Sequence, residues 1–257
     1  MYLYIHPEIQ QDLSFTQLMN LRGEVFRELE GRRTQKVLIA GKSYFIKQHF
    51  GIGWKEVFKN LLQLRLPITS ARNEWQALQR LKQLRIPTQE MMGYGWRGRN
   101  PAHKQSFLIT RELPNFITLE DLGKKWRTQP PSFRFKQQLI AKVAAIAKAL
   151  HENGINHRDF YICHFLLDLI EYAKGSITLY IIDLHRAQIR KTTPTRWRAK
   201  DLAGLYFSSK DVGLTQRDLL RFIKLYRNQS LRDVLNKETA FWQKVKNRGD
   251  KLYQKHE

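Results

Sequence analysis

The segment from Phe135 to Gly154 constrains the fold of this chain more than any other. Its apolar residues recur at the three- and four-residue spacing of an α-helix, with lysines on the other faces, and Gly154 is a typical helix stop. The polar tripeptide His157-Arg158-Asp159 follows directly. Leu179 to Leu184 then reads as a short buried strand around Asp183. An amphipathic helix needs a core to pack against, so the chain is predicted to be globular with a largely helical second half.

The first half reads as strands. Val25 to Leu29 is predicted to be a strand, and residues 30–33 a polar turn. Thr34 to Ala40 and Ser43 to His49 flank Gly41-Lys42, which predicts a hairpin. We therefore expect an antiparallel sheet of three strands to begin the chain.

Two helices are predicted to follow this sheet. Apolar residues recur at helical spacing from Trp54 to Leu64, with lysines between them, until Pro67 ends the run. We expect this apolar face to pack into the core; the alternative is a helix lying on lipid with its lysines at the headgroups. A second helix begins near Ser70 and carries Glu74.

The boundary between two lobes is expected after residue 113. Phe107 to Thr110 reads as a buried strand that enters a connection, and a helix start of the Ser/Thr-x-x-acid type follows at Thr118. Residues 1–113 would form a smaller lobe and residues 114–257 a mostly helical one. The same type of helix start recurs at Thr215 and Ser230.

Charge narrows the classes of partner. The 257 residues contain 45 Lys and Arg against 23 Asp and Glu, a net charge of +22. Such an excess favours an anionic partner: nucleic acid, an acidic membrane, a phosphorylated substrate or an acidic protein. The single cysteine, Cys163, excludes an intramolecular disulfide. With no secretory signal and no long apolar run at hand, we expect a cytosolic protein that can rest on a membrane surface.

Four residues in order carry the chemistry. Lys47 lies in the third predicted strand, Glu74 on the helix after it, Asp159 after the amphipathic helix, and Asp183 beside the last apolar strand. This order resembles the signature set of protein kinases. It predicts an α+β, bilobal protein-kinase-like fold with a small antiparallel-sheet lobe, and an enzyme that uses ATP and Mg²⁺.

Phosphoryl transfer requires these residue types, because catalysis depends on positioning and on stabilising negative charge. Lys47, held by Glu74, would bind the ATP phosphates, and Asp183 would ligate Mg²⁺. Asp159 would orient the acceptor hydroxyl and take its proton. His157, Arg158 and His164 complete the predicted catalytic loop, while Gly31 and Glu112 are assigned to the nucleotide site, with Arg32 and Arg33 as supplementary cations.

The chain departs from the kinase pattern at several positions. The glycine loop is reduced to Gly31, and His164 stands where kinases have an asparagine metal ligand. Imidazole is a poor ligand for Mg²⁺. Either His164 contacts phosphate or acceptor, or the second metal site differs from that of kinases; the structural alternative is a packed histidine beside Phe165. Leu184-His185 replaces Phe-Gly, and no Ala-Pro-Glu follows, so an ordinary protein substrate is not expected.

Basic residues follow Asp183 closely. One interpretation is that they are solvated surface charges without a specific role. The other is that they bind an anionic acceptor, because a kinase has its substrate-recognition segment here and clustered positive charge attracts anions. We assign four of them to an anionic acceptor: Arg186, Arg190, Arg196 and Arg198.

Several runs resemble the lipopolysaccharide core heptose(I) kinases of the WaaP/RfaP type, over about residues 20 to 235. They are residues 23–30 (GEVFRELE), 41–45 (GKSYF), 157–167 (HRDFYICHFLL), 182–190 (IDLHRAQIR) and 204–209 (GLYFSS). The resemblance makes His164 a family trait, and it places Phe160 where the family is expected to have cysteine.

The resemblance implies phosphorylation of the first heptose of the inner core by ATP and Mg²⁺, at the inner face of the inner membrane of Gram-negative bacteria. An anionic glycolipid on an anionic membrane suits a basic protein. An acyl carrier protein is a charge-compatible further partner, and nucleic acid is not expected. The alternatives are a kinase for another sugar or for protein, and a silent kinase-like module that binds nucleic acid or acidic lipid.

Overall fold

A computed structural model of the chain describes residues 1–9, 13–29, 31–62, 70–100, 102–126 and 128–255. The chain divides into two compact units. The first comprises Met1–Arg80 and Gln89–Pro114, and the second comprises Leu81–Thr88 and Asn115–Glu257. An antiparallel sheet dominates the first unit and helices dominate the second, which confirms the predicted α+β class. The lobe boundary after residue 113 stays a prediction about domains.

The first unit is built on a six-stranded antiparallel sheet in the order β1-β5-β6-β4-β3-β2. Its strands are β1 (Tyr2–Ile5), β2 (Glu24–Leu29), β3 (Arg32–Ile39), β4 (Lys42–His49), β5 (Met91–Arg97) and β6 (Gln105–Arg111). Its helices are α1 (Phe15–Asn20), α2 (Gly53–Leu62) and the start of α3 (Arg72–Gln83). The predicted antiparallel trio is confirmed as β2, β3 and β4, at one edge of this larger sheet.

The predicted turn over residues 30–33 is wrong at Arg32 and Arg33, which begin β3 and pair with β4 as Arg32↔His49 and Arg33↔Gln48. Gly31 alone supplies the needed reversal, with φ at +73°, and a Cβ there would collide with the carbonyl oxygen of Gly51. Only glycine meets both demands without strain.

Two buried glutamines tie the sheet to α1. Gln48 donates from Nε2 to the carbonyls of Leu18 (2.9 Å) and Met19 (3.1 Å), and Gln35 donates to Oε1 of Gln48 (2.9 Å). These bonds satisfy carbonyls at the end of a six-residue helix that is too short to be stable alone. The core around them includes Phe15, with the other buried members Ile9, Val37, Ile39, Tyr44, Ile46, Met92, Phe107 and Ile109.

Helix α2 forms where its periodicity predicts, but the expectation that its apolar face packs into the core is wrong for three residues. Trp54, Phe58 and Leu62 are 46%, 59% and 86% exposed. Trp54 and Phe58 contact each other, with ring centroids 5.7 Å apart. Periodicity shows which residues share a face but not whether another element covers it. Leu64 lies outside the described residues, as do the side chains of Val57 and Leu61.

The second unit packs around α5 (Phe133–Glu152), whose N-cap is Ser132. The other helices are α4 (Leu119–Lys125), α6 (Leu169–Ala173), α7 (Thr195–Ser208), α8 (Gln216–Arg227) and α9 (Leu231–Tyr253). Two small sheets accompany them: β7 (Phe116–Thr118), β9 (Phe165–Asp168) and β10 (Leu179–Ile181) in one, β8 (Ile155–Asn156) and β11 (Gln188–Ile189) in the other.

The predicted helix starts are confirmed. Thr118, Thr215 and Ser230 each accept the backbone N–H three residues on, and Asp218 returns the bond to Thr215 as a capping box. The strand predicted up to Leu184 is too long, because Asp183 adopts a left-handed conformation (φ +61°) that ends extended structure and begins a short 3₁₀ turn. Among the described helices, none is both long and apolar enough to cross a membrane.

Gly154 is predicted to be the glycine that the second unit tolerates least when it is changed. Its φ is +77°, and a Cβ would collide with the carbonyl oxygen of Arg190. Gly175 provides a matched control, because its φ is +83° but nothing lies within 4 Å of its Cβ position. We expect Gly175→Ala to cost about 1 kcal/mol of unfolding free energy and Gly154→Ala about 3 kcal/mol or more. Urea denaturation measures both; equal losses would contradict the collision.

Candidate active site

In the first unit, Lys47 and Glu74 form an ion pair. Strand β4 lies between β3 and β6, and this register fixes Lys47 opposite Thr34 and Leu108. Nζ of Lys47 lies 2.5 Å from Oε1 of Glu74, whose side chain is 3% exposed. A buried carboxylate needs such a partner, and the pair holds the lysine in one direction. The geometry expected from the sequence for these two residues is present.

Two other residues assigned to the nucleotide site have structural partners of their own. Glu112 accepts from Nζ of Lys36 at 2.7 Å, and this bond lowers the pKa of the Glu112 carboxyl. Gly31 is needed by its own turn, as described above. Neither observation assigns them to a ligand, and their roles at the nucleotide site stay predictions.

In the second unit, the loop His157-Arg158-Asp159 is held by a buried carboxylate on α7. Asp201 is 1% exposed. Its Oδ2 accepts the backbone N–H of His157 at 2.7 Å, and its Oδ1 accepts that of Arg158 at 2.9 Å. Arg158 takes a positive φ of 75°, which is costly for a residue with a side chain. The two charge-assisted bonds stabilise this strained backbone directly before Asp159.

His151 on α5 supports the same carboxylate. Its Nε2 lies 3.3 Å from Oδ2 of Asp201, and its Nδ1 lies 2.9 Å from the hydroxyl of Tyr226. Because a carboxylate only accepts, Nε2 is the donor in its bond to Asp201, and Nδ1 is bonded to the Tyr226 hydroxyl. Burial raises the pKa of Tyr226 to about 12, so the hydroxyl remains a donor.

His157 has a structural environment. Its side chain is fully buried, and Nε2 donates to the carbonyl of Ile182 at 3.0 Å, one residue before Asp183. Burial lowers its pKa, so the ring is neutral at physiological pH. The contact links the loop of Asp159 to that of Asp183. Phe160, the residue that differs from the expected family cysteine, is 1% exposed and packs against the rings of His157 and Phe165.

Asp159 makes an ion pair with Arg186. Nη1 of Arg186 donates to Oδ1 of Asp159 at 2.6 Å, and the carboxylate is 12% exposed against 40% for the arginine side chain. The structure thus brings one predicted acceptor-binding residue onto the predicted catalytic aspartate. This contact fixes one carboxylate oxygen and leaves Oδ2 as the other acceptor.

Two histidines flank Asp183. Nδ1 of His185 donates to Oδ1 of Asp183 at 2.5 Å, and Nε2 of His164 lies 3.6 Å from Oδ2. Nδ1 of His164 also donates to the backbone carbonyl of Asp159 at 2.6 Å. His164 is therefore not packed only against Phe165, since its ring lies between the loops of Asp159 and Asp183; a contact with phosphate or acceptor stays a prediction.

The donor set around Asp183 suits only a loosely held magnesium ion. Among the described residues, no group of three or more His, Cys, Asp or Glu side chains could hold a metal. Mg²⁺ typically binds proteins through one or two carboxylates, with substrate phosphates and water as the remaining ligands. Asp183 therefore fits a metal that arrives with a nucleotide.

The remaining predicted acceptor-binding residues separate into two groups. Arg190 and Arg196 lie over the ring of Trp197, with their guanidinium carbons 5.6 and 5.3 Å from its centroid. Arg198 instead donates from Nη2 to the hydroxyl of Thr195 at 3.2 Å.

The sequence reasoning missed Asp201, His151 and Trp197. A signal existed for Asp201, since it stands beside Leu202 and Ala203 in a helical run that otherwise buries apolar residues. A carboxylate at such a position needs several donors. Nothing in the sequence indicated that those donors would be backbone N–H groups of the catalytic loop.

A sheet unit with a lysine–glutamate pair, followed by a helical unit with a structured His-Arg-Asp loop, defines the class of kinase-like proteins. The predicted fold class is confirmed by a solved structure described as WaaP in complex with acyl carrier protein. It aligns with 98% of this chain and 100% of its own, with a TM-score of 0.84 and 40% identity.

The chain belongs to the lipopolysaccharide kinase (Kdo/WaaP) family, whose model matches residues 16–226. It is 47% identical over 236 residues to the lipopolysaccharide core heptose(I) kinase WaaP of Pseudomonas aeruginosa, covering 91% of this chain and 88% of the relative. It is 50% identical over 226 residues to the enzyme of the same name from Escherichia coli K12, covering 88% and 85%. The resemblance found in the sequence is confirmed.

Removing the carboxylate of Asp201 is predicted to destabilise the second unit. Asp201→Ala leaves two backbone N–H groups without their acceptor, which should cost about 2–4 kcal/mol of unfolding free energy. Asp211→Asn is the control, because Asp211 is exposed and its contact is a single bond from Tyr253. Urea denaturation of both variants tests this; a loss for Asp201→Ala no larger than the control's would contradict the anchoring role.

Proposed function

We propose that this protein is a lipopolysaccharide core heptose(I) kinase, which transfers the γ-phosphoryl group of ATP to a hydroxyl of the first heptose of the inner core. The observation that carries the proposal is the 47–50% identity, over 85% or more of each relative, to enzymes with that name. The paired Lys47 and Glu74, and the ordered loops of Asp159 and Asp183, supply the residue types that phosphoryl transfer needs.

On the nucleotide side, Lys47 binds the ATP phosphates while Glu74 keeps its ammonium group in place. The pair is well suited to this, because the lysine side chain is 20% exposed and its partner is almost fully buried. The ammonium group of Lys47 is therefore held in place by Glu74 while part of the side chain remains accessible to solvent. Gly31 and Glu112 are the further residues proposed for the nucleotide.

On the acceptor side, Asp159 orients the sugar hydroxyl and accepts its proton. Arg186 fixes Oδ1 of this carboxylate at 2.6 Å, so Oδ2 is the oxygen that receives the hydroxyl. Asp183 holds Mg²⁺, which neutralises the phosphate charge when bound. His185 orients Asp183, and His164 bonds the backbone carbonyl of Asp159 through Nδ1 while its Nε2 lies 3.6 Å from Oδ2 of Asp183.

The acceptor is an anionic glycolipid, and the net charge of +22 is matched to it. Arg186, Arg190, Arg196 and Arg198 are proposed to bind its anionic groups. The protein would work at the inner face of the inner membrane as a peripheral protein. The alternative of a silent binder is less favoured, because Lys47 and Asp183 retain positions and partners that a binding role does not require.

An acyl carrier protein is the second proposed partner. The related WaaP structure contains one, and such carriers are acidic, which complements this basic chain. The second unit also contains a cavity of about 340 Å³. Its walls are mostly apolar and include Leu139, Ile140, Val143, Leu202, Leu205 and Trp242. A cavity of this size and lining suits an acyl chain.

Transfer of labelled γ-phosphate from ATP with Mg²⁺ to core lipopolysaccharide that lacks heptose phosphate tests the function. We expect the wild type to label the glycan and Asp159→Asn to lose about 10²- to 10⁴-fold in kcat, since a general base is removed. ATP binding should be retained. Asp211→Asn controls for the loss of one exposed carboxylate. No label from folded, ATP-binding wild type would overturn the acceptor, and normal turnover by Asp159→Asn would overturn its role.

The carrier proposal predicts a difference between two forms of the same partner. An acyl carrier protein with its acyl chain should raise the Tm of the wild type more than the form without a chain, because only the first fills the cavity. Val143→Phe places a ring in the cavity and should abolish the difference. Its own Tm and ATP binding check that it folds. Equal shifts from both carrier forms with the wild type would contradict the proposal.

A further inference from the structure

Four cations surround one aromatic ring in the second unit, a group we call the Trp197 cluster. The charged groups of Arg158, Arg190 and Arg196 lie 5.6, 5.6 and 5.3 Å from the centroid of the Trp197 ring, and Nζ of Lys200 lies 4.2 Å from it. All four positive charges thus lie within one sphere of 5.6 Å radius.

Like charges at this density repel each other, and the protein does little to compensate them. Among the residues that the structure describes, no carboxylate lies within 4.0 Å of the charged atoms of these four side chains. Residues 184–200 contain six Lys and Arg and not one Asp or Glu. Elsewhere in the same unit, lysines such as Lys136, Lys174 and Lys246 do have carboxylate partners.

Burial and repulsion between the cations lower the pKa of two members of the cluster. Burial, followed by repulsion from Arg248, Arg158 and Arg196, lowers the pKa of Lys200. Burial, followed by repulsion from Arg186, also lowers the pKa of Arg158, although attraction by Asp159 and Asp201 opposes this shift. The π face of Trp197 attracts each cation and holds them together, but it carries no negative charge that could balance them.

Local structure maintains this arrangement at a cost. Helix α7 begins at Thr195, its N-cap is Pro194 without a side-chain cap, and no acidic residue stands in its first turn. Arg196 therefore lies at the positive end of the helix dipole, where cations are unfavourable and anions are bound well. Arg190 is fixed as well, donating to Gln188 at 2.6 Å and to Asn156.

The cluster is also next to the chemistry. Arg158 precedes Asp159 in the strained loop, and Arg186, which pairs with Asp159, is close enough to depress the pKa of Arg158. An anionic group bound by the cluster would therefore lie near Asp159.

We infer that the Trp197 cluster is the site that binds an anionic group, carboxylate or phosphate, of the glycolipid acceptor, with Arg158, Arg190, Arg196 and Lys200 as its cations. The inference rests on the proposed function for the identity of the acceptor. It adds Arg158, Trp197 and Lys200 to the predicted acceptor site.

Arg196→Gln with Lys200→Gln tests the site, because both side chains are exposed and should be replaced without loss of the fold. Lys237→Gln with Lys244→Gln on α9 is the matched control, with the same loss of charge at two exposed positions. Binding is measured without ATP, as the fluorescence anisotropy of a labelled, deacylated core oligosaccharide. We expect the cluster variant to bind about tenfold more weakly or worse, as for a lost charge-assisted contact. The control should match the wild type.

Charge-preserving and substrate arms identify the ligand group. Arg196→Lys with Lys200→Arg should restore binding. The carboxylates of the oligosaccharide are esterified in one experiment, and its phosphates are removed in another. The treatment that removes the bound group should weaken binding by the wild type and leave binding by the cluster variant unchanged. The result identifies the bound group as carboxylate or phosphate. Kinetics should show a raised KM for the acceptor with an unchanged KM for ATP.

Two results would overturn the inference: equal binding by the cluster variant and its control, or a cluster variant whose KM for ATP rises as much as that for the acceptor. These are separable from failure of the proposed function. If the wild type binds the oligosaccharide through the cluster but never phosphorylates it, the site stands and the reaction assigned to it does not.

Discussion

The candidate site of the second unit depends on one buried carboxylate. Burying the charge of Asp201 is costly unless donors surround it, and here the donors are the backbone N–H groups of His157 and Arg158 and the ring of His151. The cost of burial and the cost of a positive φ at Arg158 are therefore met by the same bonds. Helix α7, helix α5 and the loop before Asp159 become one structure, so the direction of Asp159 follows from the core.

In the first unit, a buried carboxylate also positions another group, but it does so through an ion pair. In the proposed function, Lys47 presents its ammonium group to the ATP phosphates while Glu74 holds it in place. The side chain of Glu74 is 3% exposed and that of Lys47 is 20% exposed, so the carboxylate interacts with the lysine and hardly with water. The strand register of β4 and the helix that carries Glu74 then determine where the ammonium points. In both units a buried carboxylate positions a functional group, once by an ion pair and once through backbone N–H groups.

The sequence predicted features that depend on local patterns better than features that depend on tertiary contacts. The β3–β4 hairpin, α5 and the helix starts at Thr118, Thr215 and Ser230 are local patterns, and they were correct. Strand β5 was missed because Gly93 and Gly95 are weak strand formers; a Cβ at Gly95 would meet the ring of Phe107 at 2.7 Å, a demand that only the folded sheet reveals. Helix α1 was missed although Ser14 and Gln17 form a capping box. The order of Lys47, Glu74, Asp159 and Asp183 predicted the candidate site. The apolar helical run around Asp201 indicated that this carboxylate needs donors, but no local pattern indicated that the donors are backbone N–H groups of the loop before Asp159.

The carboxylates are also distributed unevenly among the positive charges. Many exposed carboxylates neutralise nearby lysines, whereas the stretch between Asp183 and Asp201 has none. A fold selected only for solubility would intersperse the two signs. Cations crowded around Trp197 and at the start of α7 repel each other, and in the proposed function an anionic group of the acceptor balances part of this charge. In the proposed reaction a sugar hydroxyl loses a proton at Asp159, and positive potential close by stabilises the oxyanion that forms. The same charges that would recruit an anionic acceptor therefore also favour the chemistry on it.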